Sequence, residues 1–315
     1  MTSMTISFLM VLGGFLLLAL GGEGLVKGAV SLARHLRVPP LIIGLTFVAF
    51  GTSAPELMVS VQAALSGNAG ISVGNVVGSN IANILLVLGA TALVRPLVNH
   101  DPGLKRDVFF VLFISIVFAA IAQFGQVTFG LAIGLLGYLI FYVGLVYRQE
   151  TKTPTTQTQI SEEAPQTGVL WALLLLTLGV AAVVWGADIL VDGAVKIAQG
   201  LGVPETIIGL TLVAFGTSLP ELAISVLAAF RGQAGVAIGN VIGSNIFNIA
   251  LILGVTGLIA PLNISLQIAE FDVWIMLLAS LSFLWLMREG ASLSRLFGGL
   301  FLCAYGGYIA LLLGA

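Results

Sequence analysis

The chain has 315 residues, of which 58% are hydrophobic and only 8% charged, with a net charge of -2. A soluble globular chain is about a quarter charged, so this one lacks the polar surface that a water-soluble fold of its length requires. No basic patch points to nucleic acid, and the single cysteine, Cys303, excludes an intrachain disulfide and reads as a small buried hydrophobe in an apolar helix.

Runs of 20 or more apolar residues recur from end to end. Lipid is therefore the solvent, and long unbroken runs select helices over a closed barrel. In chain order the predicted segments run roughly 5–33, 40–65, 70–94, 107–123 and 126–147, then 169–198, 205–230, 235–260, 271–287 and 291–314. The first carries no Lys or Arg before Lys27 and is too long for a signal peptide, so it reads as a spanning helix. Segments one and six exceed the ~20 residues that cross a bilayer and are expected to tilt. The polar stretch at 148–168, rich in Thr, Gln and Glu, reads as a linker loop between a first five-helix unit (1–147) and a second (169–315), together one transport domain.

The second segment begins a duplication. Val38 to Glu56 (VPPLIIGLTFVAFGTSAPE) matches Val203 to Glu221 (VPETIIGLTLVAFGTSLPE) at 15 of 19 positions, an offset of 165. Gly74 to Gly89 matches Gly239 to Gly254 at 12 of 16 positions with the same offset, and Asp107 corresponds to Asp272. Five segments per half make the second half enter the membrane from the opposite side. With the N-terminus outside, Arg34, Arg37, Arg95, Lys105, Arg106, Arg148, Lys152, Arg231, Arg288 and Arg295 all fall at cytoplasmic ends; Lys196 falls outside and Lys27 lies within a helix. Arg34 and Arg37 correspond to Gln199 and Gly202, and Arg231 to Ser66, so the basic residues vanish from each loop's twin. The expected fold is an all-α membrane protein of ten helices in two inverted-topology repeats, the architecture of secondary transporters, with both termini outside the plasma membrane of a prokaryote.

Glu56 and Glu221 fall inside the second helix of each half. A charge at the bilayer centre costs about 2.5–3.5 kcal/mol and marks function. Thr52, Glu56 and Ser60 share a helix face at four-residue steps, as do Thr217, Glu221 and Ser225. Pro55 and Pro220 lack an N–H, which frees the carbonyls of Gly51 and Gly216. The third helix adds a polar stripe of Asn75, Ser79 and Asn83, repeated as Asn240, Ser244 and Asn248, with Asn80 and Asn245 turned further round. Beside it, Gly74, Gly78 and Ala82 line the adjacent face, as do Gly239, Gly243 and, less neatly, Phe247; the small residues permit close helix approach. This inventory is all oxygen, which suits hard cations such as calcium and sodium rather than zinc or copper. Glu23 with Lys27, and Asp192 with Lys196, read as ion pairs on helix faces, while Asp188 has no evident partner; His35 and His100 fall in solvated turns.

These twin GTSxPE and GNxxGSNxxN segments resemble the alpha repeats of the calcium/cation antiporter superfamily, most nearly its prokaryotic sodium/calcium exchanger branch, over essentially the whole chain. The resemblance implies ten helices, with the second, third, seventh and eighth enclosing the ions. It implies Glu56 and Glu221 as central ligands and the Thr52 and Thr217 carbonyls as calcium ligands. It implies sodium sites drawing on Ala49, Ser53, Ser79, Asn83, Ala214, Ser218 and Ser244. The position of Asn248 is acidic in some relatives. The implied function is sodium-for-calcium exchange by alternating access, with calcium, sodium and the bilayer as partners and neither a cofactor nor an obligatory protein partner. A proton-coupled antiporter of the same architecture and a passive cation channel are the alternatives; an intramembrane enzyme would need a nucleophile–base pair or a metal-binding His that is not evident.

Overall fold

The computed structural model describes residues 3–67, 69–98, 103–150, 168–201, 214–286 and 292–314. Most of the predicted linker, the start of the seventh segment and Arg288 lie outside them.

The first helix, α1 (Ser3–Leu36), is 34 residues long, about 51 Å at 1.5 Å per residue. Its end is set by Arg37, whose φ of 55° leaves the helical region, and by the Pro39–Pro40 pair beyond it. There the Val38 and Arg37 amides fold back onto Ala33 and Arg34 carbonyls at 3.0 and 3.2 Å. Next come α2 (Pro40–Thr52) and α3 (Ala54–Leu65), bent by 44° at Ser53. Helix α4 (Ala69–Ala82) continues through a π-helical stretch, Asn83–Leu88, to Val94. After α5 (Leu104–Gln123) and α6 (Phe129–Glu150), the pattern recurs as α7 (Val169–Gly200), α8 (Ala214–Thr217) and α9 (Leu219–Phe230). Helix α10 (Ala234–Phe247) has its own π-helical stretch, Asn248–Ile252, and runs on to Ile259. The last elements are α11 (Val273–Leu281, led by the π turn Ile268–Asp272), α12 (Phe283–Leu286) and α13 (Arg295–Gly314). Among the described residues six helices are long and apolar enough to cross a membrane, or seven if α2 and α3 form one span.

Four two-residue strands make two small antiparallel bridges that exchange partners between the halves. Leu97–Val98 pairs with Ser292–Leu293, and Leu262–Asn263, the counterpart of the first strand, pairs with Gln126–Val127.

Helices α1 and α7 pack antiparallel along their length through glycines spaced by seven. A Cβ on Gly14 would meet the Gly186 carbonyl at 2.6 Å, one on Gly21 would meet Ala182 Cβ at 2.7 Å, and one on Gly28 would meet the Ala172 carbonyl at 2.8 Å. From the other side, Gly179 stands equally close to Leu25 (2.7 Å) and Gly193 to the Ser7 carbonyl (2.8 Å). In lipid, where apolar side chains gain nothing by leaving solvent, such backbone approach is what binds helices. Phe8, Phe15, Trp171 and Trp185 are exposed, while Thr52, Glu56, Asn83, Asp107, Glu221 and Asn248 are buried.

Two expectations are corrected. Cys303 is exposed on the outer face of α13 rather than buried. The Lys196 ammonium lies 3.8 Å from Met10 Sδ on α1 and forms no ion pair with Asp192 among the described residues; the long side chain reaches across to the neighbouring helix instead of along its own. The expected Glu23–Lys27 pair is present at 3.0 Å, and Arg231 adds a second bridge to Glu23 at 2.5 Å.

Candidate ion-binding site

Helix breaks create the site. Ser53 (φ -83°, ψ 6°) and Ser218 (φ -87°, ψ 1°) interrupt the two equivalent helices one turn before the glutamates. Proline at the start of α3 and of α9 fits a helix N-terminus, where no N–H is needed. Glu56 and Glu221 therefore sit in the first turns of new helices, where the exposed amide dipoles favour a carboxylate. The break falls between Thr52 and Glu56, so the shared face expected for Thr52, Glu56 and Ser60 runs across two helices rather than one. All three are nonetheless buried.

Glycines on α10 bring the halves together. A Cβ on Gly243 would lie 2.5 Å from the Leu45 carbonyl and 2.6 Å from Ala49 Cβ, and one on Gly44 would lie 2.7 Å from the Val236 carbonyl. At this spacing α2 reaches across to the other half. The Ser53 hydroxyl donates to Glu221 Oε1 at 3.2 Å, and the Thr52 hydroxyl to Asn240 Oδ1 at 3.1 Å.

The asparagines divide into two kinds. Asn75 Nδ2 donates to the Glu56 carbonyl (3.1 Å) and Ser60 Oγ (2.9 Å); Asn240 does the same to the Glu221 carbonyl (3.3 Å) and Ser225 Oγ (3.0 Å). Asn80 and Asn245 bond back to Val76 and Val241 carbonyls at 2.7 Å, turned away as expected. Asn83 and Asn248 are 1% exposed, and both amide atoms of each lack a partner. Each opens a π-helical stretch. Such insertions turn side chains off the regular helical register and recur at functional sites.

Glu56 and Glu221 are also 1% exposed, and one oxygen of each (Oε2) is unpartnered. Ser244 Oγ is likewise buried without a bond, as are Oδ1 of Asn80 and of Asn245, and Ser79 and Ser218 are buried. The Ala49 carbonyl already accepts from the Ser53 amide (3.0 Å) and the Thr52 hydroxyl (3.3 Å). Ala214 lies in α8, and Thr217, half-buried, closes that helix. Ion pairs among the described residues lie elsewhere, at Glu23 and at Asp107, whose carboxylate takes Arg106 at 2.8 Å. No group of three His, Cys, Asp or Glu side chains suited to a resident metal occurs among the described residues. What stands at the site is two carboxylates with neutral oxygens around them, a donor set for a cation that must also leave.

A family model described as sodium/calcium exchanger protein matches residues 6–148 and 171–314. The chain belongs to the sodium/calcium exchanger family. It is 41% identical to a putative antiporter, CaxA, of Alkalimonas amylolytica, over 98% of this chain and 99% of that protein. It is 36% identical to the sodium/calcium exchanger MaX1 of Methanosarcina acetivorans, again over 98% and 99%. The structure of the sodium-calcium exchanger NCX_Mj soaked with 10 mM Na+ and 10 mM Sr2+ superimposes with a TM-score of 0.84 at 36% identity, covering 97% of this chain and 98% of that one. The chain is thus an all-α multi-pass membrane protein of the prokaryotic branch of the calcium/cation antiporter superfamily, a transporter and not an enzyme. Sodium and calcium are the family's substrates, and no cofactor is involved.

The glycine ladder of α1 and α7 was not anticipated from sequence. Its signal was present: Gly14, Gly21 and Gly28 recur at Gly179, Gly186 and Gly193 with the same 165-residue offset.

Proposed function

We propose that this exchanger trades sodium for calcium by alternating access at one site built on Glu56 and Glu221. Thr52, Thr217, Ser53, Ser218, Ser79, Ser244, Asn83, Asn248, Ala49 and Ala214 complete its sodium and calcium positions. The observation that carries this reading is that, of seven buried, unpartnered side-chain oxygens among the described residues, five belong to the expected ligands: Oε2 of Glu56 and of Glu221, Oδ1 of Asn83 and of Asn248, and Ser244 Oγ. All sit at helix breaks or beside π-helical turns. Calcium takes six to eight oxygens and sodium fewer, so backbone carbonyls at the breaks complete the shell. Ten helices in two inverted five-helix repeats, residues 1–147 and 169–315, would place this site near the midplane. The basic residues favour a plasma-membrane protein with both termini outside and the 148–168 loop in the cytoplasm.

Calcium uptake into proteoliposomes at fixed pH, with and without an opposing sodium gradient, tests the coupling ion. Uptake driven by sodium supports the reading. Uptake driven by a proton gradient and indifferent to sodium would assign the same carboxylates to calcium/proton exchange, and uptake without any counter-ion would assign a channel.

A further inference from the structure

Outside the candidate ion site, an apolar crevice of about 500 Å³ lies between the end of α1, α2 and the end of α6. We infer that it is a binding site for one anionic phospholipid, with an acyl chain in the crevice and the headgroup on Arg37.

Three observations fix the chemistry. First, the walls are hydrocarbon: Val38, Ile42, Phe47, Val143 and Tyr147 among them. Thr46 is the only other hydroxyl-bearing lining residue, and its hydroxyl is spent on the Ile42 carbonyl at 2.7 Å. A site without free polar partners does not hold water, and its volume falls within the roughly 300–1,000 Å³ of small-molecule sites. Second, the crevice is open on one side and its rim residues Leu36, Phe47, Phe50 and Tyr147 are exposed, at the surface that a membrane protein presents to lipid. Third, positive charge stands at one end. Leu36 and Val38 line the crevice, so Arg37 between them lies at its mouth; it is exposed and its side chain makes no hydrogen bond or ion pair among the described residues. Arg148 follows the lining residue Tyr147 at the same end. An arginine fork complements a phosphodiester, and a basic residue near a membrane surface favours an anionic headgroup roughly fivefold.

Two lining residues of the crevice adjoin candidate site residues in sequence. They are Phe50 and the buried Phe247, whose rings meet edge to face with centroids 5.9 Å apart. Phe50 follows Ala49 and Phe247 precedes Asn248. A chain seated there bears on both helices that carry the ions. The counterpart of Phe247 in the first half is Ala82, so this aromatic wall belongs to one half only.

The test is lipid retention, which does not depend on which ions are exchanged. Detergent-purified protein is offered equal amounts of phosphatidylglycerol and phosphatidylcholine, and bound lipid is counted by native mass spectrometry. The parent should retain phosphatidylglycerol in preference. Arg37→Asn removes the charge yet suits a φ of 55°, since asparagine enters the left-handed region readily; it should lower phosphatidylglycerol retention about fivefold and leave phosphatidylcholine unchanged. Thr46→Trp, which fills the crevice, should abolish retention of both. Equal retention of the two lipids by the parent, or retention unchanged in both folded variants, would overturn the assignment.

Discussion

Charge counting at the site makes a quantitative prediction about coupling. Glu56 and Glu221 are each 1% exposed, with no cationic side chain paired to either among the described residues. Once both are ionised they carry two negative charges, which one calcium or two sodium ions cancel. A third sodium would leave a net positive charge in a buried site, and an uncompensated buried ion costs several kcal/mol. Exchange should therefore be two sodium per calcium and electroneutral. Proteoliposomes clamped with potassium and valinomycin at 0 and -100 mV test this. Electroneutral exchange gives the same steady-state calcium accumulation at both potentials. Exchange of three sodium moves one charge per cycle, worth about 2.3 kcal/mol per 100 mV, which would change the accumulation ratio roughly 50-fold. Such a change in the parent would refute the charge count. Asn248→Asp adds a third carboxylate at a buried position whose amide has no partner. Its exchange should accept a third sodium and acquire that voltage dependence. The same change at Asn75, whose amide is committed to Glu56 and Ser60, should not confer it.

Glu56→Gln and Glu221→Gln should each weaken calcium binding at least 100-fold, since removing one partner from a buried ionic cluster costs about 3–5 kcal/mol. At calcium 100 times the parent's Kd, stabilisation seen in thermal melts should fall from about 2.7 to about 0.4 kcal/mol; an undiminished shift would move the site elsewhere. Gly21→Ala should destabilise by about 1–3 kcal/mol and slow exchange, because its Cβ lands 2.7 Å from Ala182, whereas Gly13→Ala, with nothing within 4 Å, should be silent in both melts and flux. In a Cys303→Ser background, which removes the exposed native thiol, a cysteine replacing Thr156 should resist impermeant reagents outside intact cells; labelling there contradicts the cytoplasmic loop.

The duplication makes the candidate site legible in the sequence. A buried glutamate alone could be an accident, but the same glutamate in the same GTSxPE context at an offset of 165 residues could not, and its neighbours Ser60 and Asn75 recur with it. Helix positions were legible because lipid demands long apolar runs. Local backbone departures were less so. Proline at 55 announced a disturbance, but whether the chain kinks or restarts depends on what packs around it, and here it restarts at Ser53 with a 44° bend. The π-helical turns at Asn83 and Asn248 leave no compositional mark. Exposure of Cys303 depends on which face of α13 meets the bundle, and that helix is apolar all round, so periodicity gave no direction. Lys196 was assigned by its spacing from Asp192, which ignores the neighbouring helix that its side chain reaches.

Hydrogen bonding separates the two jobs that the asparagines perform. Within lipid every polar group needs a partner inside the protein. Asn75 and Asn240 meet that demand by holding the main-chain carbonyls of the two glutamates and the serines one turn on, so they fix the breaks that aim the carboxylates. Asn83 and Asn248 stand two turns further along the same stripes and are bonded to nothing in the protein. The five such oxygens that belong to the proposed ligands, at about 1–3 kcal/mol each, amount to as much as the whole stability of a typical fold, about 5–15 kcal/mol. On the proposed reading, the cations that complete these oxygens and the two carboxylates would offset that deficit. Emptying such a site would restore the deficit, so a conformational change that needs the site filled would follow from the same oxygens that are proposed to bind the ions.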